Sequence, residues 1–161
     1  MHWLLVVLRL VHIVFGVVWV GMMTFTVFFL IPAIAEAGPE GGKVMAALQR
    51  RRILTVMPIT ALLTIASGIW LMLRVYGGMG GLLASRMGVT LNVGATAALL
   101  AFILGIALMR PAMARAAALA QDPAANKDEI QRLRARGAAV GRVVALLLLL
   151  AAGAMAAARY V

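Results

Sequence analysis

The chain of 161 residues contains no cysteine, and only 12% of its residues are charged. The lack of cysteine excludes disulfides, iron–sulfur clusters and thiolate metal sites. Soluble domains average about 25% charged residues, and a soluble protein with this composition would expose large apolar patches and aggregate. The scarcity of charge therefore predicts a membrane protein.

Acidic residues are the scarcest charged group, with five in the whole chain. All five lie in polar connections between apolar runs: Glu36, Glu40, Asp122, Asp128 and Glu129. A proton-driven transporter normally needs a carboxylate inside the membrane, so the sequence disfavours that class. Neither an HExxH motif nor a phosphate-binding glycine loop is present.

Apolar residues make up 65% of the chain, and the mean hydropathy is +1.04. A spanning helix needs about 20 mainly apolar residues to cross a hydrocarbon core about 30 Å thick. Four runs meet this requirement: 3–31, 53–76, 87–109 and 140–160. No strand-length alternation appears, so helices are the expected spanning form. We predict an all-α, integral membrane four-helix bundle that forms a single domain over 1–161.

The basic residues are distributed unevenly along the predicted spans. Two connections, 32–52 and 110–139, together with the start of the fourth span, hold eleven of them: Lys43, Arg50, Arg51, Arg52, Arg110, Arg115, Lys127, Arg132, Arg134, Arg136 and Arg142. The opposite side has only Arg9, Arg74, Arg86 and Arg159. Positive loops stay cytoplasmic, which predicts a multi-pass protein of a bacterial inner membrane with both termini on the extracytoplasmic side. The basic loops then face anionic lipid headgroups, and nucleic acid is not an expected partner.

The approach to the fourth span has two recognisable patterns. Asn126 and Glu129 have capping-box spacing, which predicts a helix that begins there and continues into the span. Gly137 and Gly141 have G-x-x-x-G spacing. That motif is common, and its ordinary meaning is a helix–helix contact or oligomerisation.

The stretch "LVHIVFGVVWVG" (10–21) places a histidine inside the first apolar run. At 100° per residue, Arg9, His12, Gly16 and Trp19 fall on one stripe of a helix. Ionisable residues within a span usually face the bundle interior and are functional candidates by default. The alternative is that His12 only bonds a neighbouring helix, an interaction worth about 1 kcal/mol or less in membranes.

Haem b is the cofactor that this stripe favours, with His12 as the metal ligand. The second histidine, His2, lies about 15 Å away along a helix axis, so the two cannot ligate one haem within one subunit. A bis-histidine haem needs two subunits. Otherwise His12 pairs with a methionine or leaves one axial position open.

Four further residues complete the predicted cofactor site. Arg9 and Arg74 lie at the outer end of the proposed interior, where their charges suit porphyrin propionates; extension to the membrane interface is the alternative. Gly16, one turn from His12, leaves room for a flat macrocycle, and Trp19 packs below it.

The second and third predicted spans also have polar stripes. In the second, Thr60, Thr64 and Ser67 share a face with Arg74. Ser and Thr in spans often bond their own helix, so this stripe alone does not define a site. The third span has Asn92 and Thr96 on one face.

Two segments carry a family resemblance. "LVHIVFGVVWVG" and "TIASGIWL" (64–71) resemble elements of the first and second helices of the superfamily that groups copper-resistance protein D with the HemJ-type protoporphyrinogen oxidases. The oxidase branch implies haem binding at His12, and the copper branch implies copper passage or uptake. The oxidase branch also has a functional lysine in its third helix, where this sequence has no lysine and Asn92 lies in roughly that place.

Three functions remain open at the level of sequence. The first is a haem- or porphyrin-associated membrane protein with a redox-related role, and enzymatic activity is undecided. The second is a cofactor-free accessory subunit of a respiratory or photosynthetic complex. The third is copper handling, since His and Met suit Cu(I). The expected partners are the lipid bilayer and either further copies of the chain or other subunits of a membrane complex.

Overall fold

A computed structural model describes residues 2–77, 80, 83–120 and 126–161, and these ranges contain helices and no strand. Asp122 lies outside the described residues. The α-helices within these ranges are α1 (His2–Phe25), α2 (Ile31–Glu36), α3 (Pro39–Arg50), α4 (Ile53–Tyr76), α5 (Arg86–Leu104), α6 (Arg110–Leu119) and α7 (Lys127–Ala157). Two π-helical turns, π1 (Thr26–Leu30) and π2 (Gly105–Met109), and a 3-10 turn (Ala158–Tyr160) complete the secondary structure. The all-α prediction is confirmed.

Four described stretches are long and apolar enough to cross a membrane: 2–36, 55–75, 86–119 and 127–160. The first and third include the π turns, and they continue past the predicted ends of their spans. The fourth helix begins at Lys127, directly after Asn126, and continues unbroken into the apolar run. The capping-box pattern therefore located that helix start correctly.

Both π turns precede a proline by two residues, Pro32 after π1 and Pro111 after π2. Proline lacks an N–H, and its ring clashes with the carbonyl four residues earlier in a regular α-helix. The wider turn relieves this clash. The Ile31 N–H donates to Thr26 O, and the Arg110 N–H donates to Gly105 O, both five residues back. The chain after residue 31, the predicted end of the first span, is therefore helical up to Glu36.

The four long helices pack as two pairs, α1 with α4 and α5 with α7. Contacts of α1 with α7 and of α4 with α5 join the pairs into a bundle. One buried cluster draws side chains from all four: Trp19, Met23, Val27, Ala61, Ala101, Val144, Ala145 and Leu148. Trp19 meets Phe102 edge to face, with 6.4 Å between the ring centroids.

Small residues allow these helices to approach closely. A methyl group built at Gly94 would lie 3.1 Å from Ala151 O, which is closer than a side chain normally tolerates. One at Gly137 would lie 2.8 Å from Met113 Sδ, and one at Gly141 would lie 3.1 Å from Val27 Cγ2. The G-x-x-x-G pair thus makes helix contacts within the chain, the first of its two ordinary meanings.

Candidate functional site

The polar stripe of α4 faces the bundle interior, as its periodicity predicted. Thr60, Thr64 and Ser67 are all buried. Each hydroxyl donates to a carbonyl of its own helix: Thr60 to Met57 at 2.8 Å, Thr64 to Thr60 at 2.8 Å and Ser67 to Leu63 at 2.6 Å. The hydroxyls are therefore satisfied locally and need no ligand.

His12 joins α1 to this stripe. Its Nδ1 lies 2.8 Å from the main-chain oxygen of Thr64 and 3.5 Å from Ser67 Oγ. A carbonyl oxygen can only accept, so Nδ1 carries the proton and donates it. In the neutral ring Nε2 then has a lone pair, and no described residue hydrogen-bonds to it. Histidine ligands at metal sites are oriented in this way, with the second ring nitrogen donating to a carbonyl or carboxylate.

Two glycines explain how the imidazole fits between α1 and α4. A methyl group at Gly68 would lie 2.8 Å from His12 Cε1, so the ring occupies the space that a side chain would need. A methyl group at Gly16 would lie 3.5 Å from Thr64 Cγ2, an ordinary contact distance. His12 is partly buried at this contact. The helix-to-helix hydrogen bond expected as the alternative role of His12 is present.

The other residues of the predicted cofactor site are spread over the bundle. Gly16 lies against Thr64, and Trp19 is 5% exposed in the core beside Phe102. Arg9 and Arg74 are exposed, and neither forms an ion pair within the described residues. Arg74 lies in the last turn of α4, where a positive charge is favoured by the helix dipole.

The donor atoms near His12 limit what this site can bind. Within the described part of the chain, no three His, Asp or Glu side chains lie together as metal ligands. A single imidazole nitrogen suits one axial position of a haem iron. The close approach of α1 and α4 at Gly68 encloses the Cε1–Nδ1 edge of the ring, so Nε2 is the ring nitrogen left to a ligand.

A separate cavity of about 120 Å³ lies at the end of the bundle that carries the basic connections, here called the basic end. Segments of α1, π1, α2, α3, α4, α5, π2, α6 and α7 line it. Five of the eleven methionines contribute to its walls: Met23, Met45, Met57, Met109 and Met113. Arg110 is the one charged residue among the described lining residues.

Sequence reasoning missed this cavity because methionine fills gaps in any apolar core, so its presence in the spans did not indicate a shared site. The available signal was positional. Met23, Met57 and Met109 each lie toward the end of a span that joins a basic connection. Met45 and Met113 lie in those connections themselves. Antiparallel spans bring those ends together, so their convergence follows from topology and not from any local motif.

Large apolar side chains are exposed on the outer faces of the long helices, for example Val17, Leu62, Leu100 and Leu146. Exposed patches of this extent mark a surface that is covered by lipid or protein. Together with four helices of membrane-spanning length and composition, they suggest a multi-pass α-helical membrane protein. No family model matches the sequence, and neither a curated protein nor a solved structure matches the chain.

Proposed function

We propose that the protein binds haem b in the membrane through Nε2 of His12. One observation supports this most directly: Nδ1 of His12 donates to Thr64 O at 2.8 Å. This bond fixes the ring orientation and leaves the Nε2 lone pair available. Haem b supplies one-electron redox chemistry when it is bound.

The neighbouring residues have distinct parts in this proposal. The Thr64 carbonyl orients the imidazole as a ligand. Gly68 leaves the space that the ring needs. Arg9 and Arg74 are exposed cations at the end of the bundle opposite the basic connections, and their guanidinium groups suit propionates. A second protein ligand to the haem iron, if there is one, would be His12 of another copy or a methionine.

A cofactor-free accessory subunit is the second candidate. The contacts at Gly16, Gly68 and His12 join α1 to α4 without any ligand. Under this alternative the histidine serves only the helix contact. Copper handling has less support, because His12 does not line the methionine-rich cavity, and nitrogen and sulfur donors are therefore not brought together.

An absorption spectrum of the gently purified protein, before and after haem is supplied, tests the proposal. We expect a Soret band that His12→Ala abolishes and that added imidazole restores. His12→Gln keeps an N–H donor for Thr64 but lacks an imidazole, so it should fold and show no Soret band. His2→Ala, which removes the other histidine, is the matched control and should leave the spectrum unchanged.

Two results would overturn haem ligation by His12. One is the absence of a Soret band after haem is supplied to folded protein. The other is an unchanged spectrum in His12→Ala. The first result would favour the accessory subunit, since the His12–Thr64 bond then has only a structural role.

A further inference from the structure

The cavity at the basic end has apolar walls and a defined size. Nineteen of its twenty lining residues are uncharged, and Thr26 is the one with a side-chain hydroxyl. Its volume of about 120 Å³ is close to that of an engineered apolar cavity of roughly 150 Å³ that stays dry and binds benzene. A few carbon atoms of one chain therefore fit inside, whereas a porphyrin does not.

The cavity walls contain side chains and turns that can adjust to the shape of a ligand. Methionine is flexible and is frequent at binding surfaces that accept varied apolar shapes, and five line this cavity. Both π turns also contribute, through Thr26 and Leu30 of π1 and through Gly105 and Met109 of π2. π turns within helices are frequent at functional sites.

The charge around the cavity favours an anionic ligand. Arg110 is exposed and lines the cavity, and it forms no ion pair within the described residues. Two carboxylates of this end form salt bridges with other cations. Glu40 pairs with Lys43 and Glu129 pairs with Arg115, each with a nitrogen-to-oxygen distance of 2.7 Å. The remaining basic residues of this end add to the positive potential.

The position of α3 relates the cavity to the membrane interface. This helix places Met45 and Leu48 in the cavity wall and carries exposed Lys43 and Arg50 on its other side. An amphipathic basic helix of this kind lies in the plane of the lipid headgroups. The cavity therefore opens at the depth where headgroup phosphates meet acyl chains.

We propose that this cavity binds one acyl chain of an anionic phospholipid, whose phosphate pairs with Arg110. The apolar walls and size select the chain, and Arg110 selects the headgroup charge. This proposal does not depend on haem ligation at His12, because His12 does not line the cavity. Trp19 is the one residue of the predicted cofactor site that does.

Trp19 gives a direct readout of an occupied cavity. It lines the cavity and is 5% exposed, whereas Trp3 and Trp70 are 82% and 48% exposed. With Trp3 and Trp70 replaced by Phe, Trp19 is the only tryptophan. Reconstitution in vesicles of brominated phosphatidylglycerol or brominated phosphatidylcholine then measures contact between an acyl chain and Trp19. We expect stronger quenching by phosphatidylglycerol in mixtures of the two.

Two variants separate the chain contact from the headgroup contact. A side chain at Gly105 enters open space, because nothing lies within 4 Å of its added methyl group, so Gly105→Leu fills the cavity and should remove the quenching. Arg110→Gln should lower the preference for phosphatidylglycerol about fivefold, as one cation near anionic lipid is worth about 1 kcal/mol.

Each variant has a matched control that does not line the cavity. Gly153 also has nothing within 4 Å of an added methyl group. In Gly153→Leu, brominated lipid should quench Trp19 fluorescence as strongly as in the parent protein. Arg136 is an exposed cation of the same end, and Arg136→Gln should keep the lipid preference. Equal quenching by both lipids in the parent, or quenching that survives Gly105→Leu in folded protein, would overturn the proposal.

Discussion

His12 and Thr64 join the first two long helices through a hydrogen bond from the ring Nδ1 to the main-chain oxygen, 2.8 Å apart. The acceptor belongs to the backbone, while the Thr64 hydroxyl donates separately to Thr60 O. The bond therefore depends on the identity of residue 12 and on the distance between the helices. It does not depend on the side chain at 64.

Substitutions at the two ends of this bond should consequently differ. His12→Ala removes the donor and should lower the free energy of unfolding by up to about 1 kcal/mol for the hydrogen bond alone. Thr64→Val keeps the carbonyl and the methyl that contacts Gly16, so we expect a smaller loss. Unfolding of both variants in detergent measures the difference. A larger loss for Thr64→Val would contradict this account.

Gly68→Ala should displace the imidazole, because the added methyl group would lie 2.8 Å from His12 Cε1. Its effect on stability should largely disappear in a His12→Ala background, since residues in contact are energetically coupled. A double-mutant cycle measures this coupling. Gly16→Ala is the control and should cost less, because its methyl group would meet Thr64 Cγ2 at an ordinary 3.5 Å. If the two substitutions lower the free energy of unfolding additively, residue 68 and the His12 ring are not in contact.

Thr24 has a buried hydroxyl with no hydrogen-bond partner in the described structure. An unsatisfied buried polar group costs about 1–3 kcal/mol, so Thr24→Val should stabilise the protein, by about 1 kcal/mol. Thr60→Val removes a hydroxyl that donates to Met57 O and should not stabilise it. Chemical unfolding of both variants checks the contrast. Destabilisation by Thr24→Val would indicate that the hydroxyl has a partner.

Gly141→Leu should strain the bundle, because even a methyl group there would lie 3.1 Å from Val27 Cγ2. Overpacking of this kind costs about 1–3 kcal/mol. Gly153→Leu, on the open side of the same helix, should be tolerated. Thermal unfolding and native mass spectrometry together measure stability and assembly. Unchanged stability with altered assembly would show that Gly141 contacts another copy instead.

The distribution of basic residues predicts that the basic end faces the cytoplasm. Arg136→Cys, at that end, should resist an impermeant thiol reagent added to intact cells, whereas Tyr160→Cys at the other end should react. The chain has no native cysteine, so each variant carries a single reporter. Labelling of Arg136→Cys from outside the cell would show that the protein has the opposite orientation in the membrane.

The sequence predicted those features of the fold that depend on residues close together along the chain. Apolar run length located the four spans, and helical periodicity placed Thr60, Thr64 and Ser67 on the buried face. The start of α7 after Asn126 was located by the spacing of Asn126 and Glu129 in the sequence. Each of these features is set by residues within a few turns of one another.

The features that sequence did not predict depend on how separate helices align. Thr64 is 52 positions from His12 in the sequence. Predicting that its carbonyl accepts the hydrogen bond requires knowing how far α1 is shifted along α4. The contacts at Gly16 and Gly68 set that shift. The convergence of the methionines at the basic end likewise needs the packed bundle. The two π turns were not predicted; each accommodates a proline, Pro32 or Pro111, without ending the helical stretch.

The π turns also determine how the basic end is connected to the rest of the molecule. A π turn holds roughly one residue more than an α turn, which rotates everything beyond it by about 100° relative to an uninterrupted helix. If π1 closed into an α turn with the same number of residues, α1 would stay in place and α2 and α3 would rotate about its axis. The orientation of the amphipathic helix relative to the bundle is thus encoded in a single extra residue.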